Sequence, residues 1–223
     1  MYFAGVLVAI VWIGVLLTTC LSCASQSVAI RGRSMLQMHQ ATVTIRETCP
    51  DGRIFFGSGG IVGQGIVVTA AHVVRCDIAP GITVGGVVEV DPGDGEWRPA
   101  APIRVLEVDD VASLSVGGLE TYESPVQIGP PPAMGDTLCA STGQIPSYAL
   151  KCGTVQPFPE TETGDISWDA IVEPGNSGGL VYDSLGRVVG VVVQWRRCAN
   201  VPFYQICGGR ATSLWSRRQA LGI

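Results

Sequence analysis

Gly175-Asn176-Ser177-Gly178-Gly179 sets one serine among glycines. Glycine accepts backbone angles closed to other residues, so the chain can turn sharply here and leave the Ser177 hydroxyl exposed. A serine hydroxyl is a poor nucleophile unless a base removes its proton during attack. The reading therefore turns on whether the rest of the chain supplies a base, and a group to orient it.

Upstream stand two histidines. His39 lies in a polar lead-in. His72 ends Thr69-Ala70-Ala71-His72, just after the apolar Ile66-Val67-Val68, where small residues allow tight packing. Imidazole titrates near neutral pH and suits general-base work. It needs a buried carboxylate to fix its tautomer and stabilise the imidazolium. Asp109 and Asp110 compete for that role. Asp110 opens Asp110-Val111-Ala112-Ser113-Leu114, where the chain enters a core, whereas Asp109 reads as solvated. The backbone amides of Gly175 and Ser177 would form an oxyanion hole, one such donor contributing about 3 kcal/mol to the transition state. Together these residues describe acyl transfer: attack by Ser177, an acyl-enzyme, then hydrolysis.

The three motifs, in the order His72, Asp110, Ser177, resemble those of a chymotrypsin-fold (trypsin-like) serine peptidase, over roughly residues 41–221. The resemblance implies an all-β chain of two six-stranded antiparallel barrels, with the site in the cleft between them and a short C-terminal helix. It implies endopeptidase activity on protein or peptide substrates, without metal or cofactor. Asn176 stands where trypsin-like zymogens carry an aspartate, and no Ile-Val-Gly-Gly sequence occurs, so no digestive-type zymogen switch is expected. The pattern is closer to bacterial secreted and HtrA-like peptidases, here without a PDZ domain. Two rival readings stay open: a protease-like binding module without turnover, and a hydrolase of esters.

The chain has 223 residues, 47% hydrophobic and 15% charged, enough for a sizeable core. Its 29 glycines, 14 prolines and many short Val/Ile runs point to strands and turns. A net charge of -5 and no Lys/Arg block argue against nucleic-acid binding. Residues 1–24 carry no charged side chain, and Tyr2 to Leu17 is almost wholly apolar. This segment reads as a signal peptide cut before Ser25, which would make the protein secreted or periplasmic, or as a retained membrane anchor. A lipoprotein cut at Cys20 or Cys23 is a third option. The six later cysteines contain no CxxC pair, which argues against a zinc or redox site. Six cysteines allow about 15 pairings. Taking neighbours in sequence, with the Cys139–Cys152 hairpin resembling that of α-lytic-type bacterial peptidases, the expected bridges are Cys49–Cys76, Cys139–Cys152 and Cys198–Cys207.

Residues 25–40 read as an irregular lead-in, and 41–223 as the peptidase domain, with barrels at about 41–117 and 135–214. Gly63-Gln64-Gly65 is a turn between strands, Val84, Val87, Val88 and Val90 suggest a hairpin closed by Asp91-Pro92-Gly93-Asp94-Gly95, and the Gly/Pro-rich stretch 117–135 joins the halves. A short helix is expected over Leu214 to Leu221. Trp168 and Trp195 read as buried barrel residues, with lining of the cleft as the alternative. Arg196, Arg197 and Arg210 read as solvated charges, with a preference for acidic substrates as the alternative.

Overall fold

The computed structural model describes residues 35–79, 82–121, 126–143, 149–157, 166–197 and 206–223. The expected all-β architecture is what forms. Strands β1 (Thr42–Thr48), β2 (Ile54–Gly63), β3 (Ile66–Thr69), β6 (Val87–Asp91), β7 (Arg98–Leu106) and β8 (Val111–Val116) close one barrel in the order β1-β2-β3-β8-β7-β6. Strands β9 (Thr137–Thr142), β10 (Ala149–Gln156), β11 (Ile166–Trp168), β12 (Leu180–Tyr182), β13 (Val188–Arg197) and β14 (Ile206–Ser213) close the second as β10-β11-β14-β13-β12-β9. All pairings within the barrels are antiparallel.

Alternation explains the first barrel. Side chains two residues apart share one face of a strand, so Val43 and Ile45 of β1 point inward together and meet Ile61, Val67, Val90 and Leu114. The β2–β3 hairpin turns at Gly65, whose φ of 69° is left-handed. Strand β7 starts earlier than the apolar run Ile103 to Val108 suggests, at Arg98, and tolerates two prolines. Its register shifts between Pro102 and Arg104, the kind of irregularity that accommodates a residue without an N–H.

The second barrel packs Leu138, Ala140, Val181, Val189, Val192 and Ala211 around Trp168. A third apolar layer lies between the barrels, where Val68 and Val111 of the first meet Leu180, Val191 and Leu214 of the second. Burying this layer fixes the two barrels against each other.

Three readings need correction. The lead-in 25–40 is not irregular to its end: Met35–Gln40 is a helix, with Met38 fully buried and its carbonyl accepting the Thr42 hydroxyl at 2.7 Å. The hairpin closed after Asp91 forms, with Val87, Val88 and Val90 on β6, but Val84 falls outside it. Val84 belongs to β5 (Ile82–Val84), which pairs with β4 (Cys76–Ala79) in a separate two-stranded sheet, while β6 pairs with β7 in the barrel. The C-terminal helix forms but is shorter, Arg218–Leu221, and ends at Gly222 with φ 74°. The signal or anchor segment lies outside the described residues. Among the described residues, no helix is long and apolar enough to cross a membrane.

Candidate active site

His72 sits in a 3-10 turn, Ala71–Val74, directly after β3. Ala70, Ala71, Val73 and Val74 are buried and root the turn, while the His72 side chain stays 38% exposed. Gly57 makes room for Val73, because a Cβ at position 57 would lie 2.7 Å or less from both Val73 methyls. The imidazole Nδ1 is 2.7 Å from Asp110 Oδ2. A carboxylate can only accept, so Nδ1 carries a proton, and in the neutral ring Nε2 keeps its lone pair. Asp110 Oδ1 accepts the His72 backbone amide at 2.9 Å.

Asp110 occupies the turn between β7 and β8 with φ 51°. For a residue with a side chain that conformation costs about 1–2 kcal/mol. The surroundings hold it: its N–H donates to the Glu107 carbonyl at 3.2 Å, and its own carbonyl accepts the Ala71 amide at 3.1 Å. Asp109 is not simply solvated. Its Oδ1 accepts Arg217 Nη2 at 2.8 Å and Nε at 3.1 Å, and its carbonyl accepts the Thr212 hydroxyl at 2.6 Å.

Ser177 stands in the bend before β12. The Asn176 side chain, 2% exposed, closes that bend on itself, its Oδ1 accepting the Glu173 amide at 2.8 Å. Gly178 donates to the Val192 carbonyl at 2.7 Å, and Gly179 to the Asn176 carbonyl at 3.0 Å. The first barrel meets this bend through Ser58 of β2. The Ser58 amide donates to the Ser177 carbonyl at 2.7 Å, and its hydroxyl to the Gly175 carbonyl at 2.8 Å. The Ser58 carbonyl in turn accepts the hydroxyl of Thr69, three residues before His72. The structure thus joins His72 to Asp110 directly and seats the serine bend against the strands that lead to His72. Among the described residues, no hydrogen bond links Ser177 to His72, and the Gly175 and Ser177 amides have no protein acceptor. Gly175 has φ 88°.

The chain thus has two closed barrels, with the His72–Asp110 pair on the first and the serine bend of the second held against Ser58 of the first. Residues 57–191, more than half of the chain, match the family described as trypsin-like peptidase domain. The chain belongs to the trypsin-like peptidase family. It is similar to mitochondrial serine protease HTRA2 of Bos taurus, 32% identical over 146 residues that cover 60% of this chain and 30% of that one. It also resembles a probable periplasmic serine endoprotease, DegP-like, of Bartonella henselae, 28% identical over 145 residues, 62% of this chain and 27% of that one. The peptidase domain therefore spans less than a third of either relative. Its fold is shared with the Rv3671c protease of M. tuberculosis in its active form, with a TM-score of 0.65, 23% identity, and coverage of 84% of this chain and 83% of that one.

Cys49 is bonded to Cys76, tying β1 to the segment just after the His72 turn, and Cys139 to Cys152, across β9 and β10. The Cys198–Cys207 pairing lies outside the described residues, as do the side chains of Arg196 and Arg197. Glu47 lies close enough to Cys49 and Cys76 for a metal site, but both sulfurs are consumed in their bond. Trp168 is fully buried, and Trp195 packs half-buried against the second core. Arg210 is not a solvated charge. It is 4% exposed on β14, donates to Gln194 Oε1 at 3.4 Å, and burial pushes its pKa down. Sequence reasoning missed Ser58, Thr212 and Arg217. A Gly-Ser-Gly-Gly string at Gly57 to Gly60 was the one local signal for Ser58.

Proposed function

We propose that this chain is a serine endopeptidase that cleaves protein or peptide substrates through an acyl-enzyme. Ser177 is the nucleophile, His72 the general base and then acid, and Asp110 the orienting carboxylate. The observation that carries the reading is the two-point contact between Asp110 and His72 beside the serine bend. With Nδ1–H committed to Asp110, Nε2 is the nitrogen left to take the Ser177 proton as Oγ attacks the scissile carbonyl. The developing oxyanion is received by the Gly175 and Ser177 amides, which no protein acceptor among the described residues engages. His72 then returns the proton to the leaving amine, and water releases the acyl group by the same route in reverse. A Ser177–His72 hydrogen bond that forms only with substrate in place is compatible with this chemistry. An extracytoplasmic location accords with the cysteine pairs Cys49–Cys76 and Cys139–Cys152.

Labelling with a fluorophosphonate tests the reading. Wild type should label, and Ser177→Ala and His72→Ala should not, with peptide turnover lowered about 10⁴-fold or more. A folded, disulfide-intact wild type that does not label would instead make this a binding module.

A further inference from the structure

We infer that Thr212 and Arg217 are positioning residues for Asp110, so that the C-terminal segment aims the carboxylate at His72. The inference rests on the reading of His72 as the base. Thr212 is fully buried on β14, and its hydroxyl donates to the Asp109 carbonyl at 2.6 Å. Arg217 holds the Asp109 carboxylate through Nε and Nη2. The Arg217 backbone is itself fixed, donating to the Leu214 carbonyl at 3.2 Å and accepting from the Leu221 amide at 3.0 Å. Leu214 and Leu221 are both fully buried in the layer between the barrels. Three residues beyond Asp110, the Ser113 hydroxyl donates to the Leu221 carbonyl at 2.8 Å. The turn that carries Asp110 is therefore held to the C-terminal segment on both sides.

The backbone shows why this hold matters. Asp110 is left-handed, and rotating the peptide between Asp109 and Asp110 is its route to an ordinary φ. That peptide presents its carbonyl to Thr212 and its N–H to the Glu107 carbonyl. Rotation would break both bonds and loosen the turn from which the carboxylate reaches the two His72 nitrogens. Arg217 restrains the same residue, Asp109, through its side chain. Thr212 and Arg217 thus act on His72 only through Asp110.

The test compares Thr212→Val, which removes the hydroxyl at nearly constant volume and charge, with Arg217→Met and Arg217→Lys in the full chain. Rates are expressed per active site titrated with fluorophosphonate, so unfolded protein does not count. Thr212→Val and Arg217→Met should lower kcat about tenfold, the scale of a small misplacement of a catalytic group, with KM little changed. In Thr212→Val, which leaves all charges in place, the acid limb of the kcat profile should move to lower pH, because an imidazolium with a badly aimed carboxylate loses its proton more readily. Arg217→Lys should recover part of the loss. The downfield NMR resonance of the hydrogen-bonded Nδ1 proton, assigned by its absence in His72→Ala, should weaken in Thr212→Val and Arg217→Met. Unchanged kcat, pH profile and resonance in both, or a loss that only follows the fraction of titratable sites, would overturn the inference. A wild type inert to fluorophosphonate would refute the peptidase reading instead, and the resonance alone would then decide the positioning.

Discussion

Asp110 grips His72 at two points, Oδ1 on the backbone amide at 2.9 Å and Oδ2 on the ring Nδ1 at 2.7 Å. Aspartate and asparagine have nearly the same shape, and both tolerate the left-handed backbone found at this position. Asp110→Asn should therefore fold normally, with a midpoint of denaturation close to wild type. It should nevertheless lose about 10⁴-fold in kcat at neutral pH. An amide nitrogen turned toward Nδ1 donates rather than accepts, which moves the ring proton to Nε2 and removes the base. Steady-state kinetics beside a urea titration would check this, and activity within tenfold of wild type would sink the assigned role.

Gly178 has no room for a side chain. Its φ is 88°, and a Cβ there would collide with the Ser58 carbonyl oxygen and the Thr69 hydroxyl. The same Ser58 residue holds the Ser177 carbonyl. Gly178→Ala should force the serine bend away from β2, costing about 1–3 kcal/mol for the overlap and more for the backbone. The expected outcome is a β-rich circular dichroism spectrum with fluorophosphonate labelling slowed at least about 100-fold. Labelling at the wild-type rate would show that the bend does not depend on this close approach.

These contacts show which parts of the molecule could be read from its sequence. The β2–β3 hairpin was legible because a Gly-containing turn separates two apolar runs. The His72–Asp110 pairing was legible because each residue sits next to its own strand in a small-residue or apolar motif. Val84 misled because a run of valines gives strand propensity but not register or partner, and Gly85-Gly86 sends Val84 and Val87 to different sheets. The helix Met35–Gln40 is too short for a helical period to emerge. Ser58, Thr212 and Arg217 reach the site through contacts between residues more than 100 positions apart. Nothing local announces such contacts. Arg210 was read as solvated from its charge, but what packs over a strand decides burial.

The Cys49–Cys76 bond closes 27 residues that include β2, β3 and the His72 turn. By the chain-entropy estimate, removing it should cost about 3–4 kcal/mol. The paired variant Cys49→Ser with Cys76→Ser should show that loss in guanidinium unfolding while keeping labelling at low temperature, because neither cysteine touches Ser177 or Asp110. A loss below about 1 kcal/mol would mean that the unfolded chain is already constrained without the bond.

Glu47 gives the fold a pH dependence of its own. It follows Val43 and Ile45 on the inward face of β1 and is 1% exposed beside that disulfide. Burial, with a smaller push from the charge of Asp77, raises its pKa from 4.5 to about 7. The Gly86 and Arg75 amides oppose the shift only in part, because they approach the carboxylate outside hydrogen-bond geometry. Below about pH 4.5 the folded and unfolded chains both carry the proton, and the folded state keeps its full stability. Between about pH 4.5 and 7 the unfolded chain ionises while the folded one stays neutral, so stability falls by about 1.4 kcal/mol per pH unit. Above about pH 7 no further loss follows. The total is on the order of 3 kcal/mol. Glu47→Gln cannot ionise, so its stability relative to wild type should climb across that window and level off above it. Urea unfolding of both proteins from pH 4 to 8 measures the difference, in which groups common to the two cancel. A difference that stays flat with pH would mean that Glu47 is ionised in the folded chain at acidic pH, held by water or by rearranged amides.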